Sequence, residues 1–346
     1  MVRILITGGC GFIGSNFILR AQKKLDCEIL NIDKLTYSGN IDNLSSIESN
    51  YTFIESDISD KDTIRASINK FKPNYLINFA AESHVDRSID SHSEFINTNI
   101  LGTINLLDAS LEYYKKDEDG FKFIHISTDE VYGSLSNEGS FSEESTYSPS
   151  SPYSASKASS DHFVNAWNKT FGLPTITTNC SNNYGPYQFP EKLIPLMIIN
   201  AVNEEKLPIY GDGKNIRDWI HVNDHCDALL TIMAKGKVGE KYNIGGNCER
   251  TNLDIVGQIC KNLDSISPRV GADSHKELIE FVEDRPGHDF RYAVDCSKIS
   301  NTLGWTPKIS FNDGIEDTIR WYLDHSNWWG KIIKKKYDLS RLGVKK

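Results

Sequence analysis

The sequence lacks the features of membrane and secreted proteins. None of its apolar runs approaches the roughly 20 residues that a membrane-spanning helix needs. The opening stretch MVRILITGG reaches its glycines too early for a secretory signal peptide. Its 7 cysteines are odd in number and show no Cys-x-x-Cys spacing, which favours buried thiols in a reducing compartment over a disulfide framework. We therefore expect a cytoplasmic protein.

Acidic residues outnumber basic residues in the chain. The chain has 38 Lys and Arg against 47 Asp and Glu, and its net charge of -9 argues against nucleic acid or an anionic membrane as a partner. We interpret the basic cluster KIIKKKY (331–337) as a solvated tail. There is no internal repeat and no low-complexity segment. At 346 residues, with 39% hydrophobic residues, the chain is long enough for a large globular domain with an added lobe.

Short β-rich runs alternate with longer helical patterns in the first half of the chain. Because these runs are apolar on both faces and the intervening segments can form crossovers, they predict a parallel sheet covered by helices on each side. The predicted strands are RILIT (3–7), CEILNID (27–33), YTFIESD (51–57), NYLINFA (74–80), FKFIHIS (121–127) and PTITTNC (174–180).

A glycine-rich loop follows the first predicted strand. Gly8, Gly11 and Gly14 are spaced by three residues and open a helix, so the backbone there can approach a pyrophosphate. Asp33 ends the second predicted strand, where a carboxylate accepts hydrogen bonds from ribose hydroxyls and repels a 2'-phosphate. Together these features predict an α/β fold with a Rossmann-type doubly wound parallel sheet that binds NAD rather than NADP.

The character of the sequence changes after Cys180. The stretch SNNYGPYQFPEKLIP is rich in Asn, Pro and aromatic residues, and the glycine turn YGDGKN (210–215) follows it. We predict an NAD-binding domain over residues 1–180 and a smaller C-terminal substrate-binding lobe over 181–346. Part of about 217–245 is expected to pack back on the first domain.

Two helical stretches carry an apolar stripe, one over about 93–114 and one that begins after Tyr153. Packing of the two helices on the sheet accounts for both stripes. On the periodicity alone, dimerisation through these helices is the weaker interpretation.

Tyr153 and Lys157 are four residues apart at the start of the second of these helices, so their side chains share one face. A lysine ammonium near a phenol stabilises the phenolate, which can then remove a hydroxyl proton while hydride leaves the same carbon. A second Tyr-x-x-x-Lys spacing, Tyr210 with Lys214, contains two glycines and is not expected to be helical. The first pair therefore predicts alcohol oxidation by a nicotinamide.

The stretch STDEVYGS sets Asp129 and Glu130 side by side where a buried strand should end. Within a strand, neighbouring side chains point to opposite faces, but a turn at the strand end can aim both into one cleft. Solvated acids in a loop are the alternative reading. With a redox tyrosine nearby, one acid can donate a proton to a departing hydroxyl and the other can accept the proton made acidic by an adjacent ketone.

Other patterns are less specific. His221 and His225 share helical spacing, but no third ligand follows at a recognisable distance, so we interpret them as structural or surface histidines and expect no metal. The stretch DRPGHD carries several charged or titratable groups beside Arg291 and Tyr292, and we interpret it as a clamp for a phosphate or base rather than as a surface turn.

The motifs together resemble a known family. TGGCGFIGSNF, AAESHVDRSI, STDEVYGS, SPYSASKASSD, NNYGPYQFPEKLIPL, YGDGKNIRDWIHVNDH and DRPGHDFRYAVD are similar to those of the extended short-chain dehydrogenases, and specifically of the dTDP-glucose 4,6-dehydratases. The resemblance runs from Met1 to about Trp329, and no role is assigned to the tail from Gly330 onward. Its most specific element is the acid pair, since sugar epimerases of the same superfamily carry other residues there.

The resemblance implies a role for each catalytic residue. Tyr153 would be the base that oxidises C4 of the glucose, Lys157 would hold the phenolate and the nicotinamide ribose, and Thr128 would bond the C4 oxygen. Asp129 would protonate the departing C6 hydroxyl, and Glu130 would take the C5 proton. Return of the hydride to C6 would give a 4-keto-6-deoxy sugar and water without net use of NAD, a step of deoxysugar biosynthesis such as that of rhamnose.

The resemblance also implies binding residues and a homodimer. The NAD contacts would be Gly8, Gly11, Phe12, Ile13, Gly14, Asp33, Lys34, Thr36, Asp57, Ile58, Ala80, Ala81, Ser83, Thr98, Tyr153 and Lys157. The nucleotide-sugar contacts would be His84, Thr128, Asn183, Lys192, Tyr210, Arg217, Asn252, Arg285 and His288. The resemblance favours dTDP-glucose, although the motifs themselves do not separate it from UDP-glucose. A UDP-glucose 4,6-dehydratase, a nucleotide-sugar 4-epimerase and a non-catalytic NAD-binding protein are the alternatives.

Overall fold

A computed structural model of the protein describes residues 1–116, 120–285, 287–335, 337 and 339. The basic cluster at 331–337, the tail from Gly330 and the stretch DRPGHD therefore lie partly outside the described residues. None of the described helices is long and apolar enough to cross a membrane.

A parallel sheet forms the centre of the molecule, and all six predicted strands are confirmed. In the described part of the chain the sheet has seven strands: β1 (Val2–Thr7), β2 (Cys27–Asp33), β3 (Tyr51–Glu55), β4 (Tyr75–Asn78), β5 (Lys122–Thr128), β6 (Thr175–Cys180) and β10 (Lys241–Ile244). Their order in the sheet is β3-β2-β1-β4-β5-β6-β10. The last of them, which the sequence analysis did not predict, pairs in parallel with β6.

Successive side chains of the inner strands point to opposite faces of the sheet. Ile4 and Ile6 of β1 are fully buried in one apolar cluster, whereas Leu5 between them belongs to the cluster on the other face. Burial on both faces is what makes these strands read as continuous apolar runs. The strand order reverses between β1 and β4, and in such sheets a ligand crevice opens at the carboxyl ends of the strands beside this switch point.

Helices cover the sheet and build the second lobe. The helices are α1 (Phe12–Lys24), α2 (Lys61–Phe71), α3 (Val85–Asp90), α4 (Ser93–Phe95), α5 (Thr103–Tyr114), α6 (Pro152–Phe171), α7 (Leu193–Val202), α8 (Val222–Lys235), α9 (Asn252–Ile266), α10 (Ser297–Leu303), α11 (Phe311–Asp324) and α12 (Ser326–Lys335). Short 3₁₀ turns lie at Ile41–Leu44, Asp129–Tyr132 and His275–Leu278.

The start of α6 is fixed by its capping residues. The Ser151 hydroxyl accepts a hydrogen bond from the Ser154 backbone N–H, the Ser154 side chain bonds back to the cap, and Pro152 occupies the first turn. The helix ends before Gly172, which has a φ of 73°. These signals place the first turn of α6, which carries Tyr153, at a defined point against the sheet.

The helical stretch predicted over about 93–114 contains a π-helical segment, Ile96–Gly102, between α4 and α5. Such segments are frequent at functional sites, where they shift the direction of side chains. Asn99 in this segment exchanges two hydrogen bonds of 2.9 Å with the backbone of Glu82, which follows β4, and donates another to Ser156 of α6 at 2.8 Å. The segment thus joins the end of β4 to the helix that carries Tyr153.

The smaller lobe has an apolar cluster of its own, formed by residues of α7, α9 and α11. Its strands are β7 (Asn182–Tyr184), β8 (Leu207–Tyr210), β9 (Ile216–His221), β11 (Glu249–Thr251) and β12 (Ile279–Val282). They form a sheet in the order β11-β9-β7 and a parallel pair of β12 with β8.

The chain returns to the central sheet within the second half. Helix α8 lies beside α1, where Arg20 makes a bidentate ion pair with Asp227, and β10 extends the central sheet. We propose a division into residues 1–180 and 181–346, with part of about 217–245 belonging structurally to the first unit. The contacts of α8 and β10 support this proposal.

Candidate active site

The passage from β1 into α1 requires glycine at two positions, Gly8 in the loop and Gly14 in the first turn of α1. Gly8 has a φ of 73°, and a Cβ added there would lie 2.5 Å from the backbone nitrogen of Ala80. A Cβ on Gly14 would lie 2.4 Å from the Gly8 carbonyl oxygen. The loop therefore lies against the end of β4 and opens α1 with its backbone exposed to the crevice, the geometry that suits a pyrophosphate.

Asp33 ends β2 beside this loop and is buried. One carboxylate oxygen accepts a hydrogen bond from the Cys10 backbone N–H at 2.9 Å, and the other accepts from the Leu35 N–H at 2.8 Å. The acid thus holds the glycine loop in place, in addition to the contact with ribose that the sequence predicts.

A cavity opens at the carboxyl ends of the strands. Among the predicted NAD contacts it is lined by Gly8, Gly11, Phe12, Ile13, Gly14, Asp33, Lys34, Thr36, Ile58, Ala80, Ala81, Ser83, Thr98, Tyr153 and Lys157. Asp57 does not line it, but its carboxylate lies 3.3 Å from the Lys34 ammonium, which also donates to the Thr98 hydroxyl at 2.9 Å. Asp57 therefore contacts the cavity wall through Lys34.

We expect Asp33→Ala to reduce the NAD content of the purified protein by about tenfold or more, because two backbone N–H groups lose their acceptor at a cost of ~1–3 kcal/mol each. The ribose would lose an acceptor as well. The bound nucleotide can be released by acid and quantified by chromatography. Asp26→Ala is the matched control, since this exposed acid precedes the opposite end of β2. Equal NAD content in both variants would contradict the assignment.

The two neighbouring acids sit in the 3₁₀ turn that follows β5. The strand ends at Thr128, whose hydroxyl accepts a hydrogen bond from the Glu130 backbone N–H at 3.2 Å and so begins the turn. Asp129 is 1% exposed and Glu130 is half-buried, and both line the cavity together with Thr128 and Tyr153. The turn thus brings two successive carboxyl groups to one cleft, which a regular strand could not do.

The two acids differ in the charges that surround them. Burial and the negative charges of Glu130 and Asp218 raise the pKa of Asp129 well above its usual range. Burial also raises the pKa of Glu130, but the nearby cations Arg285, Arg217 and Lys192 oppose this rise. Glu130 therefore ionises more readily than Asp129, as a base and an acid acting together require.

Tyr153 is 8% exposed and packs edge-on against Phe95, with 6.3 Å between the ring centroids. Burial and the negative charge of Glu130 raise the pKa of its phenol well above its usual range, and a hydrogen bond with Thr128 opposes that rise. Lys157 is 3% exposed, and its ammonium donates to the Ile126 carbonyl oxygen at 2.7 Å. A phenolate at Tyr153 therefore needs positive charge close to it.

A second cavity adjoins the first on the side of the smaller lobe. Glu130 and Lys192 line both cavities. Among the predicted nucleotide-sugar contacts the second cavity is lined by His84, Lys192, Tyr210, Arg217, Asn252, Arg285 and His288. Asn183 lines only the first cavity, where its amide nitrogen donates to the Ser181 carbonyl and its amide oxygen lies 2.9 Å from Nδ1 of His225.

Two acids that the sequence analysis did not single out organise this second cavity. Asp86 makes a short ion pair with Arg285 and accepts a hydrogen bond from the Tyr210 hydroxyl at 3.3 Å. Glu191 pairs with Arg87 at 2.9 Å and lines both cavities. Asp86 stands within the quoted motif AAESHVDRSI, but its partner is 199 residues away, so sequence spacing gives no signal for the contact.

The histidines of HVNDH have structural contacts. His221 caps α8 by accepting a hydrogen bond from the Asn223 N–H at 3.2 Å, and His225 is fully buried against Asn183. Within the residues that the structure describes, no group of three or more His, Cys, Asp or Glu side chains could hold a metal ion.

A doubly wound sheet, a glycine loop and a Tyr-x-x-x-Lys helix at one cavity define a short-chain dehydrogenase fold. Residues 5–318 match the family model described as GDP-mannose 4,6 dehydratase, and the chain belongs to this family, grouping with its dTDP-glucose 4,6-dehydratases. It is 50% identical over 350 residues to the dTDP-glucose 4,6-dehydratase of Xanthomonas campestris pv. campestris (strain B100), covering 99% of each chain.

Solved structures give the same grouping. The dTDP-glucose 4,6-dehydratase of Bacillus anthracis in complex with NAD is 46% identical, with a TM-score of 0.85 over 96% of this chain and 100% of that one. The enzyme of the same name from Streptomyces venezuelae, with NAD and TYD bound, is 42% identical, with a TM-score of 0.87 over the same shares of the two chains. The predicted family and fold are thus confirmed.

Proposed function

We propose that the protein dehydrates dTDP-glucose to its 4-keto-6-deoxy sugar, with NAD as a recycled cofactor. The observation that carries the proposal is the acid pair: in the cavity that also holds Tyr153, Glu130 and Asp218 raise the pKa of Asp129, whereas three nearby cations oppose the rise in the pKa of Glu130. An epimerase needs no such pair, because it removes no water. The relatives and structures named above, all dTDP-glucose 4,6-dehydratases, support the choice of sugar nucleotide.

The residues present fit NAD. A Cβ on Gly14 would lie 2.4 Å from the Gly8 carbonyl oxygen, so a glycine there lets the loop that lines the cavity pack closely on the start of α1. A carboxylate at Asp33 suits a ribose and disfavours a 2'-phosphate. Bound in this cavity, NAD would supply the hydride acceptor for oxidation at C4 of the sugar and, once reduced, the hydride donor for C6.

Tyr153 would remove the proton from the C4 hydroxyl. Because burial and Glu130 hold its phenol protonated, the phenolate has to be stabilised by a cation, and Lys157 is the ammonium one helical turn further along α6. Thr128, which hydrogen-bonds to the phenol, would align the C4 oxygen with it. These groups would act before the acid pair, since the C5 proton becomes acidic only beside a ketone.

Glu130 would then take the C5 proton while Asp129 protonates the C6 hydroxyl, which leaves as water. Arg217, Arg285 and Lys192 would hold the diphosphate, and their positive charge would also keep Glu130 ionised as the base. The remaining contacts implied by the resemblance, including His84, stay proposals.

We further propose a cytoplasmic homodimer. Large apolar side chains are exposed on the π segment, Ile96 at 44% and Leu101 at 53%, and at the C-terminal end of α6, Phe171 at 47%. A second copy covering these side chains would remove them from water, which favours association. The cytoplasmic assignment rests on the cysteine pattern of the sequence.

The function can be tested by mass spectrometry of the purified protein incubated separately with dTDP-glucose and UDP-glucose, without added NAD. We expect dTDP-glucose to lose one water, which would also show that NAD is carried and recycled. Faster loss of water from UDP-glucose would support the UDP-glucose dehydratase instead. Conversion to the galactose isomer at unchanged mass would indicate the epimerase, and an unchanged sugar after NAD addition would indicate a non-catalytic protein.

A further inference from the structure

Asp161 is a buried acid on α6 for which the reaction described above has no use. It lies four residues after Lys157, one helical turn further from Tyr153, and is 4% exposed. It does not line the cofactor cavity, but Ser127, which does, donates a hydrogen bond to it at 2.8 Å. Burying an ionised carboxylate costs free energy unless the carboxylate pairs with a positive charge or accepts several hydrogen bonds.

Donors from three elements hold this carboxylate. Besides Ser127 of β5, one oxygen accepts from the Tyr147 hydroxyl at 2.8 Å and from the Asn179 amide of β6 at 3.2 Å. The other oxygen lies 3.4 Å from Nε2 of His125. Burial alone would raise the pKa of Asp161, but the interactions with His125, Lys157 and Ser127 lower it, so the group is ionised.

His125 adds no charge to this cluster. Its full burial lowers its pKa to about 4, so the ring is neutral near pH 7. The Asn78 amide oxygen accepts from the Thr7 hydroxyl at 2.7 Å, which turns the amide nitrogen toward Nδ1 of His125 at 3.3 Å. With Nδ1 accepting, we assign the ring proton to Nε2, on the side of Asp161. The cluster therefore keeps one net negative charge.

We propose that Asp161 is a positioning residue whose buried negative charge keeps Lys157 protonated, so that Lys157 can stabilise the phenolate of Tyr153. This inference rests on the proposed role of Tyr153 as the base. Burial lowers the pKa of Lys157, and Asp161 is the strongest influence that raises it. Without this carboxylate, a buried ammonium held mainly by the Ile126 carbonyl would lose its proton more readily.

Other titratable groups near the pair do not supply the same charge. Those that face Asp161 or Lys157 from the packed elements are His125, Tyr132, Tyr147, Cys180 and Lys241. Burial raises the pKa of the Cys180 thiol to about 12 and holds the two phenols protonated, so these groups are neutral at pH 7.

The test is a near-ultraviolet titration of tyrosinate in the full-length, NAD-loaded protein, from which the same titration of Tyr153→Phe is subtracted. We expect Asp161→Asn to move the Tyr153 midpoint upward by about one pH unit or more, because a neutral Lys157 no longer stabilises the phenolate. The rising limb of kcat/KM against pH should move in the same direction. Asp161→Ser, which leaves room for water, is a second neutral variant in case Asn is not tolerated.

Two further variants separate charge from structure. Tyr147→Phe removes a hydrogen bond to Asp161 but not its charge, and should lower the melting temperature with little change in the Tyr153 midpoint. Asp161→Glu keeps the negative charge, so its Tyr153 midpoint should lie close to the wild-type value. A wild-type midpoint in a folded neutral variant would overturn the inference. If subtraction shows no Tyr153 step near neutral pH in the wild type, the proposed base fails instead.

Discussion

Tyr153→Phe is expected to lower turnover of the nucleotide sugar by roughly 10²–10⁴-fold, the usual contribution of a positioned general base. The change removes only a hydroxyl from a ring that is buried and packs against Phe95, so the fold and the NAD content should be retained. Turnover can be measured as water loss by mass spectrometry, and NAD content by chromatography after acid release. Neither C4 oxidation nor any later step should proceed at the normal rate.

The matched control is Phe95→Leu, which perturbs the packing of the Tyr153 ring but keeps its hydroxyl. Its turnover should fall much less than that of Tyr153→Phe. Normal turnover by Tyr153→Phe would remove the tyrosine from its proposed role. Equal losses in both variants would attribute the effect to ring packing.

Glu130→Gln is expected to let C4 oxidation begin but to block elimination, again by roughly 10²–10⁴-fold. The amide cannot take the C5 proton, and it also removes one of the negative charges that keep Asp129 protonated and Tyr153 neutral. Quenching with borodeuteride should trap the sugar ketone as a deuterium-labelled hexose that still carries its C6 hydroxyl. In deuterated water, exchange at C5 should be lost.

Asp129→Asn provides the contrast, because it removes the acid and leaves the base. Exchange at C5 should continue while water loss at C6 falls. If Asp129 is the proposed acid, it acts in its protonated form, and elimination in the wild type should decline as the pH rises through its raised pKa. If Glu130→Gln and Asp129→Asn gave the same labelling pattern, separate roles for the two acids would be excluded. Unchanged product formation in both variants would favour the alternative that these residues are acids of a loop with no catalytic role.

Much of the central sheet could be predicted because its strands are continuous apolar runs separated by amphipathic helices. The strand Lys241–Ile244 was missed for a physical reason: it is four residues long and lies within the second half of the chain, so only its pairing with β6 reveals it. The π segment at Ile96–Gly102 was also missed, since its apolar spacing resembles that of an ordinary helix.

The site was predictable where its chemistry is local in sequence. The glycine loop, the acid pair and the Tyr153–Lys157 spacing each lie within a short stretch. Asp86 and Asp161 were not identified, because their meaning depends on partners from distant segments: Arg285 for one, and residues of β5 and β6 for the other. A buried acid can be recognised as a counter-ion only after its neighbours are known.

The position of β10 in the chain determines where the protein could be truncated. The last strand of the central sheet comes from residues 241–244. In a fragment ending near residue 180, β6 would therefore be an edge strand whose unpaired backbone N–H and C=O groups could pair with a strand of another molecule. In the proposed division, the first unit would therefore depend on a strand from the second half of the chain.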